Sequence, residues 1–135
     1  MKILQIGKFP KEYCGGVESA VFGLSEALSR DHEVSVVTSS LGRNGGIERV
    51  GTLTVRKLPT WLLLFSTPFT PSLISYLKTA SFDIVQISFQ NPMAVLAYWI
   101  ARPKGKLVIW YHHDIVRQRF LGMLIGPLLR WMMRR

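Results

Sequence analysis

The chain has 135 residues, of which 48% are hydrophobic and 19% charged, and this size and composition suit one compact domain. The hydrophobic fraction excludes intrinsic disorder, and the lone Cys14 excludes a disulfide scaffold. Because Lys8 and Pro10 interrupt the apolar start, no secretory signal is evident and we expect a cytoplasmic protein.

Positive charge is concentrated near the end of the chain. The net charge is +9, of which residues 1–100 carry +2 and residues 101–135 carry +7. This asymmetry is typical of proteins that bind nucleic acid or an anionic membrane. We expect no nucleic-acid binding, because the sequence lacks a nucleic-acid-reading motif.

Two long uncharged windows need to be checked as membrane spans. Residues 58–77 contain three prolines, and residues 84–101 have polar residues at their middle. A spanning helix needs about 20 predominantly apolar residues with a continuous hydrogen-bond ladder. We expect neither window to span a membrane.

The first half of the chain alternates strand and helix patterns. Lys2–Ile6 predicts a buried strand, and Glu33–Thr38 predicts a second one. Between them, a loop rich in glycine and proline precedes Val17–Arg30, whose apolar residues have helical spacing. Residues 41–46 predict a glycine-rich loop, and Ile47–Leu58 predicts strand pieces around Gly51.

The second half continues this alternation. Helices are predicted at Phe69–Ala80 and Pro92–Ala101, and strands at Ile84–Ser88 and Lys106–Tyr111. The alternation predicts an α/β domain with a Rossmann-like parallel sheet and helices on both faces.

Ligands bind beyond the carboxyl ends of the strands in such a sheet. Three polar segments follow predicted strands: Gly7–Gly16, Gln90–Asn91 and His112–Asp114. In the first, two glycines precede a helix, where free N–H groups favour an anion such as phosphate, although a tight turn alone would also need them.

The histidine pair is the second candidate for chemistry. Adjacent residues at a strand end point in opposite directions, so one histidine can face the crevice, although a structural role is equally compatible with the pattern. The remaining histidine is His32 and the cysteine is single, so we expect no metal site.

The last segment, Ile115–Arg135, predicts a basic, apolar helical segment broken near Gly126. It contains 12 large apolar residues of 21, together with five arginines and no acid. Such a helix suits either the interface of an anionic membrane or a protein core with arginines that extend to solvent. The sequence leaves both alternatives open.

Four ordered blocks resemble one known family. K-I-L-Q-I-G-K-F-P with G-G-V-E, then E-A-L-S-R-D-H-E-V-S-V-V-T, D-I-V-Q-I-S-F-Q-N-P and V-I-W-Y-H-H-D-I-V-R-Q-R-F run through the chain. They resemble the N-terminal, acceptor-side domain of family 4 glycosyltransferases, which have the GT-B fold. The resemblance implies a cleft shared with a second domain that holds a nucleotide-sugar, and transfer with retention of configuration without a metal.

The resemblance also implies roles for particular residues. His112 matches the histidine near the transferred sugar, so it is the predicted catalytic residue. Gly15 and Gly16 match glycines that line the cleft. The remaining predicted substrate-binding residues are Glu18, Gln90, Asp114 and Arg117.

The chain departs from its family in two respects. Gln86 and Ser88 stand where many relatives carry H-x-H, and no pair of spaced glutamates follows Asp83. We therefore expect residues 1–135 to be one acceptor-side domain without its donor domain.

The predicted function is the acceptor-binding half of a retaining hexosyltransferase, with a mannosyltransferase as one candidate, acting on a lipid-linked or polysaccharide acceptor. Such a half would be inactive alone and would need the donor domain or a partner chain. No cofactor is implied, because the nucleotide-sugar is a co-substrate. The alternative is a basic membrane-binding module with a vestigial cleft, peripheral at the inner face of the cell membrane.

We also expect Trp131, Met132 and Met133 to lack partners, which predicts aggregation or dimerisation.

Overall fold

The structure, a computed structural model, describes residues 1–13, 15–64, 66–88, 91–110, 127 and 131. The strands are β1 (Lys2–Ile6), β2 (Glu33–Ser39), β3 (Gly46–Val50), β4 (Leu53–Leu58), β5 (Leu62–Leu64), β6 (Thr67–Phe69), β7 (Ile84–Ser88) and β8 (Lys106–Trp110). The helices are α1 (Gly16–Leu28), α2 (Ser72–Thr79) and α3 (Pro92–Ala101), and Lys11–Tyr13 form a short 3-10 helix. The helical segment predicted at 115–135 lies outside the described residues, apart from Pro127 and Trp131.

Six strands form the central sheet in the order β3-β4-β2-β1-β7-β8. Every neighbouring pair is parallel except β3 and β4. These two strands are antiparallel because a tight turn at Gly51 joins them, and its φ of 62° lies in the left-handed region that favours glycine. The predicted Rossmann-like α/β fold is confirmed, with one antiparallel strand at its edge.

Helices cover the sheet on both faces. On one face, Val21 and Phe22 of α1 pack with buried valines that include Val36 of β2. On the other face, α2 and α3 pack over a second cluster that includes Val37, the next residue along β2. Successive side chains of a strand point to opposite faces, so the β-branched residues of one strand supply both clusters.

The proline-rich segment before α2 differs from its prediction. A helix was predicted from Phe69, but Phe69 ends β6, which pairs with β5 in a separate two-stranded hairpin. The helix begins at Ser72, directly after Pro71. Pro68 and Pro71 lack the N–H groups that a helix interior requires, and this explains the later start.

No helix among the described residues is long and apolar enough to cross a membrane. The described parts of both uncharged windows instead form short strands and helices, as expected for this fold. The expectation that Trp131 lacks a partner is wrong, because its ring centroid lies 6.1 Å from that of Trp99 on α3.

Candidate functional site

The site lies at the carboxyl edge of the sheet, between β1 and β7. The chain leaves β1 for α1 on one side of the sheet and leaves β7 for α3 on the other, so the direction in which the strand order grows reverses between β1 and β7. Ligands of open parallel sheets bind at such a switch point. The geometry of the two loops therefore defines the candidate site.

Asn91 joins these two loops. Its side-chain Nδ2 donates to the carbonyl oxygen of Gly7 at 3.2 Å, and its Oδ1 accepts from the Ala94 N–H at 3.1 Å as the N-cap of α3. The side chain is buried. Sequence reasoning did not assign Asn91 a role, although an asparagine directly before Pro92 is a recognisable helix-start signal.

The start of α1 brings Gly15, Gly16 and Glu18 together. Gly15 is the N-cap, and it caps the helix without a side-chain hydrogen bond. The carboxylate of Glu18 folds back so closely that an added Cβ at Gly15 would collide with it, whereas a Cβ at Gly16 would meet nothing within 4 Å. The buried Glu18 therefore places a negative charge at the positive end of the helix dipole.

Lys8 lies on the same loop, half-buried beside the start of α1. Burial lowers the pKa of Lys8, and the nearby negative charge of Glu18 partly offsets this shift. The ammonium group also lies 5.3 Å from the centre of the Phe9 ring. The start of α1 thus has the negative Glu18 and the positive Lys8 beside it. It is therefore not simply a positive helix end that is free to bind an anion.

A pocket of about 300 Å³ adjoins this loop on the side of β2 and β4. Its walls come from three loops at the carboxyl edge, and the lining residues are Phe9, Tyr13, Ser40, Leu41, Gly42, Arg43, Thr60, Trp61, Leu62 and Leu63. The rings of Phe9 and Tyr13 stack with centroids 4.3 Å apart. The pocket combines aromatic walls with hydroxyl groups and one arginine, a lining that suits an amphiphilic or sugar ligand.

Charged contacts hold the wall that carries Tyr13. Lys57 Nζ of β4 lies 2.9 Å from Glu12 Oε1 in the 3-10 helix and 3.0 Å from Glu48 Oε1 on β3. The hydrogen bond to Glu12 raises the pKa of Lys57, and the same bond lowers the pKa of the Glu12 carboxyl. Since these groups are partly exposed, the network positions the wall more than it stabilises the fold.

Gln86 and Ser88, which replace the H-x-H pattern, both lie on β7. Gln5 Nε2 donates to Gln86 Oε1 at 3.3 Å, between residues that are also register partners of β1 and β7. Ser88 is buried at the end of its strand. The Gln86 side chain therefore has a structural partner within the sheet.

Four predicted site residues, Gln90, His112, Asp114 and Arg117, lie outside the described residues. β8 ends at Trp110, which is paired in parallel with Ser88, so the chain leaves β8 at the carboxyl edge. The proximity of His112 to the α1 glycines stays a prediction. Among the residues that the structure does describe, no cluster of three His, Cys, Asp or Glu is arranged to hold a metal.

Comparison with known proteins identifies the family. Residues 14–135 match the model of Glycosyltransferase Family 4. Over 133 residues the chain is 29% identical to O-antigen chain mannosyltransferase C of Escherichia coli, covering 95% of this chain and 36% of that protein. It is 30% identical over 133 residues to D-rhamnosyltransferase WbpZ of Pseudomonas aeruginosa, covering 96% of this chain and 35% of that protein.

The mostly parallel sheet with helices on both faces defines a Rossmann-like α/β domain, as in one half of a GT-B fold. The chain belongs to glycosyltransferase family 4. Its sequence blocks correspond to the N-terminal domain of that family. It spans about a third of the length of the curated relatives it matches.

Proposed function

We propose that this domain is the acceptor-binding half of a retaining glycosyltransferase that takes a sugar from a nucleotide-sugar donor. The observation that carries the proposal is the family match over residues 14–135. The two relatives named above are a mannosyltransferase of the O-antigen chain and a rhamnosyltransferase. They support a hexosyl donor, mannose among the candidates, and a lipid-linked or polysaccharide acceptor.

The described residues support acceptor binding through three groups at one edge. A sugar offers hydroxyl groups as donors and apolar ring faces, and the buried Glu18 carboxylate supplies an acceptor for such hydroxyls. Tyr13 and Trp61 are exposed aromatic side chains on the pocket wall, suited to contact a ring face. Arg43 adds a cation for an anionic group on the acceptor.

His112 is proposed as the catalytic residue, near the transferred sugar. Gln90, Asp114 and Arg117 are proposed as further substrate-binding residues, with Gly15 and Gly16 lining the cleft. The space beside Gly16, where an added Cβ would meet nothing within 4 Å, leaves room for close approach of a ligand. The donor site, with its nucleotide-recognising residues, would come from a second domain or a partner chain. We therefore propose that the 135-residue chain alone binds an acceptor weakly and transfers no sugar.

The proposal is tested by measuring sugar release and transfer from a panel of nucleotide-sugars. We expect no turnover by the chain alone, and activity once a donor domain from a relative is supplied. In the reconstituted enzyme, His112→Ala should lower kcat far more than it lowers the unfolding midpoint. Robust turnover by the chain alone would overturn the half-enzyme assignment, and an unchanged kcat would remove His112 from catalysis.

A second candidate function rests on the charge of +7 over residues 101–135. It is a cytoplasmic, peripheral membrane-binding module at the inner face of the cell membrane, with a vestigial cleft. Co-sedimentation with liposomes tests it: binding should need anionic lipid and disappear when residues 115–135 are removed. Binding that is indifferent to this deletion would contradict the candidate.

A further inference from the structure

The β5–β6 hairpin exposes a group of large apolar side chains, here called the hairpin patch. Its members are Trp61, Leu62, Leu63, Leu64 and Phe69, whose exposed fractions run from 39% to 65%. Leu62, Leu63 and Leu64 are consecutive in β5, so their side chains point alternately to opposite faces of the hairpin. Apolar surface is therefore open to solvent on both faces of the same strand.

Exposure on both faces of the strand indicates which kind of partner could cover the hairpin patch, a protein surface or a lipid bilayer. A flat protein surface packs against one face of a strand and leaves the other in water. A bilayer interface surrounds an inserted hairpin, so it covers both faces together. Tryptophan is also enriched at the headgroup level of membranes, and Trp61 is at the base of the hairpin.

Charge favours an anionic bilayer. Residues 58–77 contain no charged side chain, so insertion desolvates no ion. Arg43 lines the same pocket as Trp61 and Leu63, so a cation lies beside the patch. The neighbouring acids Glu12 and Glu48 are both paired with Lys57, which reduces their repulsion of lipid phosphates.

We propose that the hairpin patch is a membrane-docking element that inserts into the interface of an anionic bilayer. The strands are three residues long and their outer backbone edges need water, so insertion stops at the boundary of headgroups and acyl chains. The docked orientation places the mouth of the 300 Å³ pocket beside the lipid surface. The inference does not depend on sugar transfer or on the segment 115–135, so either can fail while docking stands.

Vesicle flotation of the 135-residue chain tests the proposal. The probes are vesicles of phosphatidylcholine alone and of phosphatidylcholine with phosphatidylglycerol. The double variant Leu64→Ser, Phe69→Ser removes two patch side chains that do not line the pocket. Ile47→Ser on β3 is the matched control, because Ile47 is 60% exposed and belongs to the six-stranded sheet, whereas the hairpin is a separate two-stranded sheet.

We expect the chain to float with the anionic vesicles, the control to float equally well, and the double variant to bind at least about tenfold more weakly. Equal binding by the double variant would overturn the proposal. So would a wild-type dimer that fails to float and that the double variant converts to a monomer, because the patch would then join two copies of the chain.

A depth measurement keeps the test independent of hairpin folding in the variant. Brominated phospholipids quench tryptophans that lie in the membrane, so the wild-type chain should lose fluorescence on binding. Trp61→Phe should abolish most of this quenching, and Trp99→Phe should retain it. Quenching that is retained in Trp61→Phe would place another part of the chain in the bilayer and overturn the proposal.

Discussion

Asn91 makes two hydrogen bonds with groups that have no access to water. Removing its side chain leaves the Gly7 carbonyl unpaired and the start of α3 uncapped. We expect Asn91→Ala to lower the free energy of unfolding by about 2–3 kcal/mol. Urea denaturation measures this change.

Asn91→Asp separates the two contributions, because a carboxylate still accepts from the Ala94 N–H but cannot donate to Gly7. Its expected loss is at least as large as that of the alanine variant, because its second carboxylate oxygen would face the buried Gly7 carbonyl oxygen. Asn44→Ala, in an exposed loop, is the control and should stay within about 0.5 kcal/mol. An alanine variant at position 91 that is as stable as this control would contradict the role.

Lys8 gives the site a pH-dependent stability. Burial lowers its pKa below the 10.5 of an unperturbed lysine, so the unfolded chain holds more protons between the two values. Stability should therefore rise with pH through this window. We expect Lys8→Met to be more stable than the wild type at pH 7, with a difference that shrinks as the pH approaches 10.5.

The measurement compares urea midpoints of the two proteins at several pH values. Lys11→Met is the control, because Lys11 forms an exposed pair with Glu26. A difference between Lys8→Met and the wild type that grows with pH would contradict the assigned cause.

Among the elements, the turn before β8 is constrained by its backbone geometry. Gly105 has a φ of 122°, and an added Cβ would collide with the Phe82 carbonyl oxygen and lie 3.2 Å from that of Asp83. We expect Gly105→Ala to lower stability by about 2–4 kcal/mol. Thermal unfolding measures it, with Gly42→Ala, whose Cβ meets nothing within 4 Å, as the nearly neutral control.

The helices show what local sequence can and cannot determine. The bounds predicted for α3 are confirmed at both ends, because Asn91 and Pro92 start the helix locally and Arg102 ends it in a left-handed conformation. The predicted end of α1 was two residues too far, since the helix stops at Leu28 and Ser29 instead pairs with Thr52 of the β3–β4 turn. That contact is distant in sequence and leaves no local signal.

The β5–β6 hairpin was missed for a related reason. Three consecutive leucines show neither the alternation of a half-buried strand nor a clear helical period, and Pro68 argues against a strand. The pocket depends on this hairpin for Trp61, Leu62 and Leu63, so sequence alone could not place it. The start of α1 after Gly15, in contrast, was predicted from residues that are adjacent in sequence.

At the scale of the whole molecule, exposed apolar surface predicts self-association. Leu96, Trp99 and Ile100 are all more than a third exposed on α3. We expect light scattering to show a mean mass that rises with concentration, because contact between such surfaces removes apolar area from water. Leu96→Ser with Ile100→Ser should reduce this rise, and Ile47→Ser should not. Scattering that stays monomeric at all concentrations would contradict the expectation.

Because ion pairs of Lys57 hold the pocket wall, the position of this wall should depend on salt concentration more than the rest of the domain does. Electrolyte shortens the Debye length from about 8 Å under physiological conditions to about 3 Å at 1 M, which weakens exposed contacts of opposite charge but not the packing of hydrocarbon. High salt should therefore weaken the contact between the Tyr13 segment and β4, while the apolar core keeps the sheet folded. Ligand affinity at this pocket would then respond to ionic strength even for an uncharged ligand.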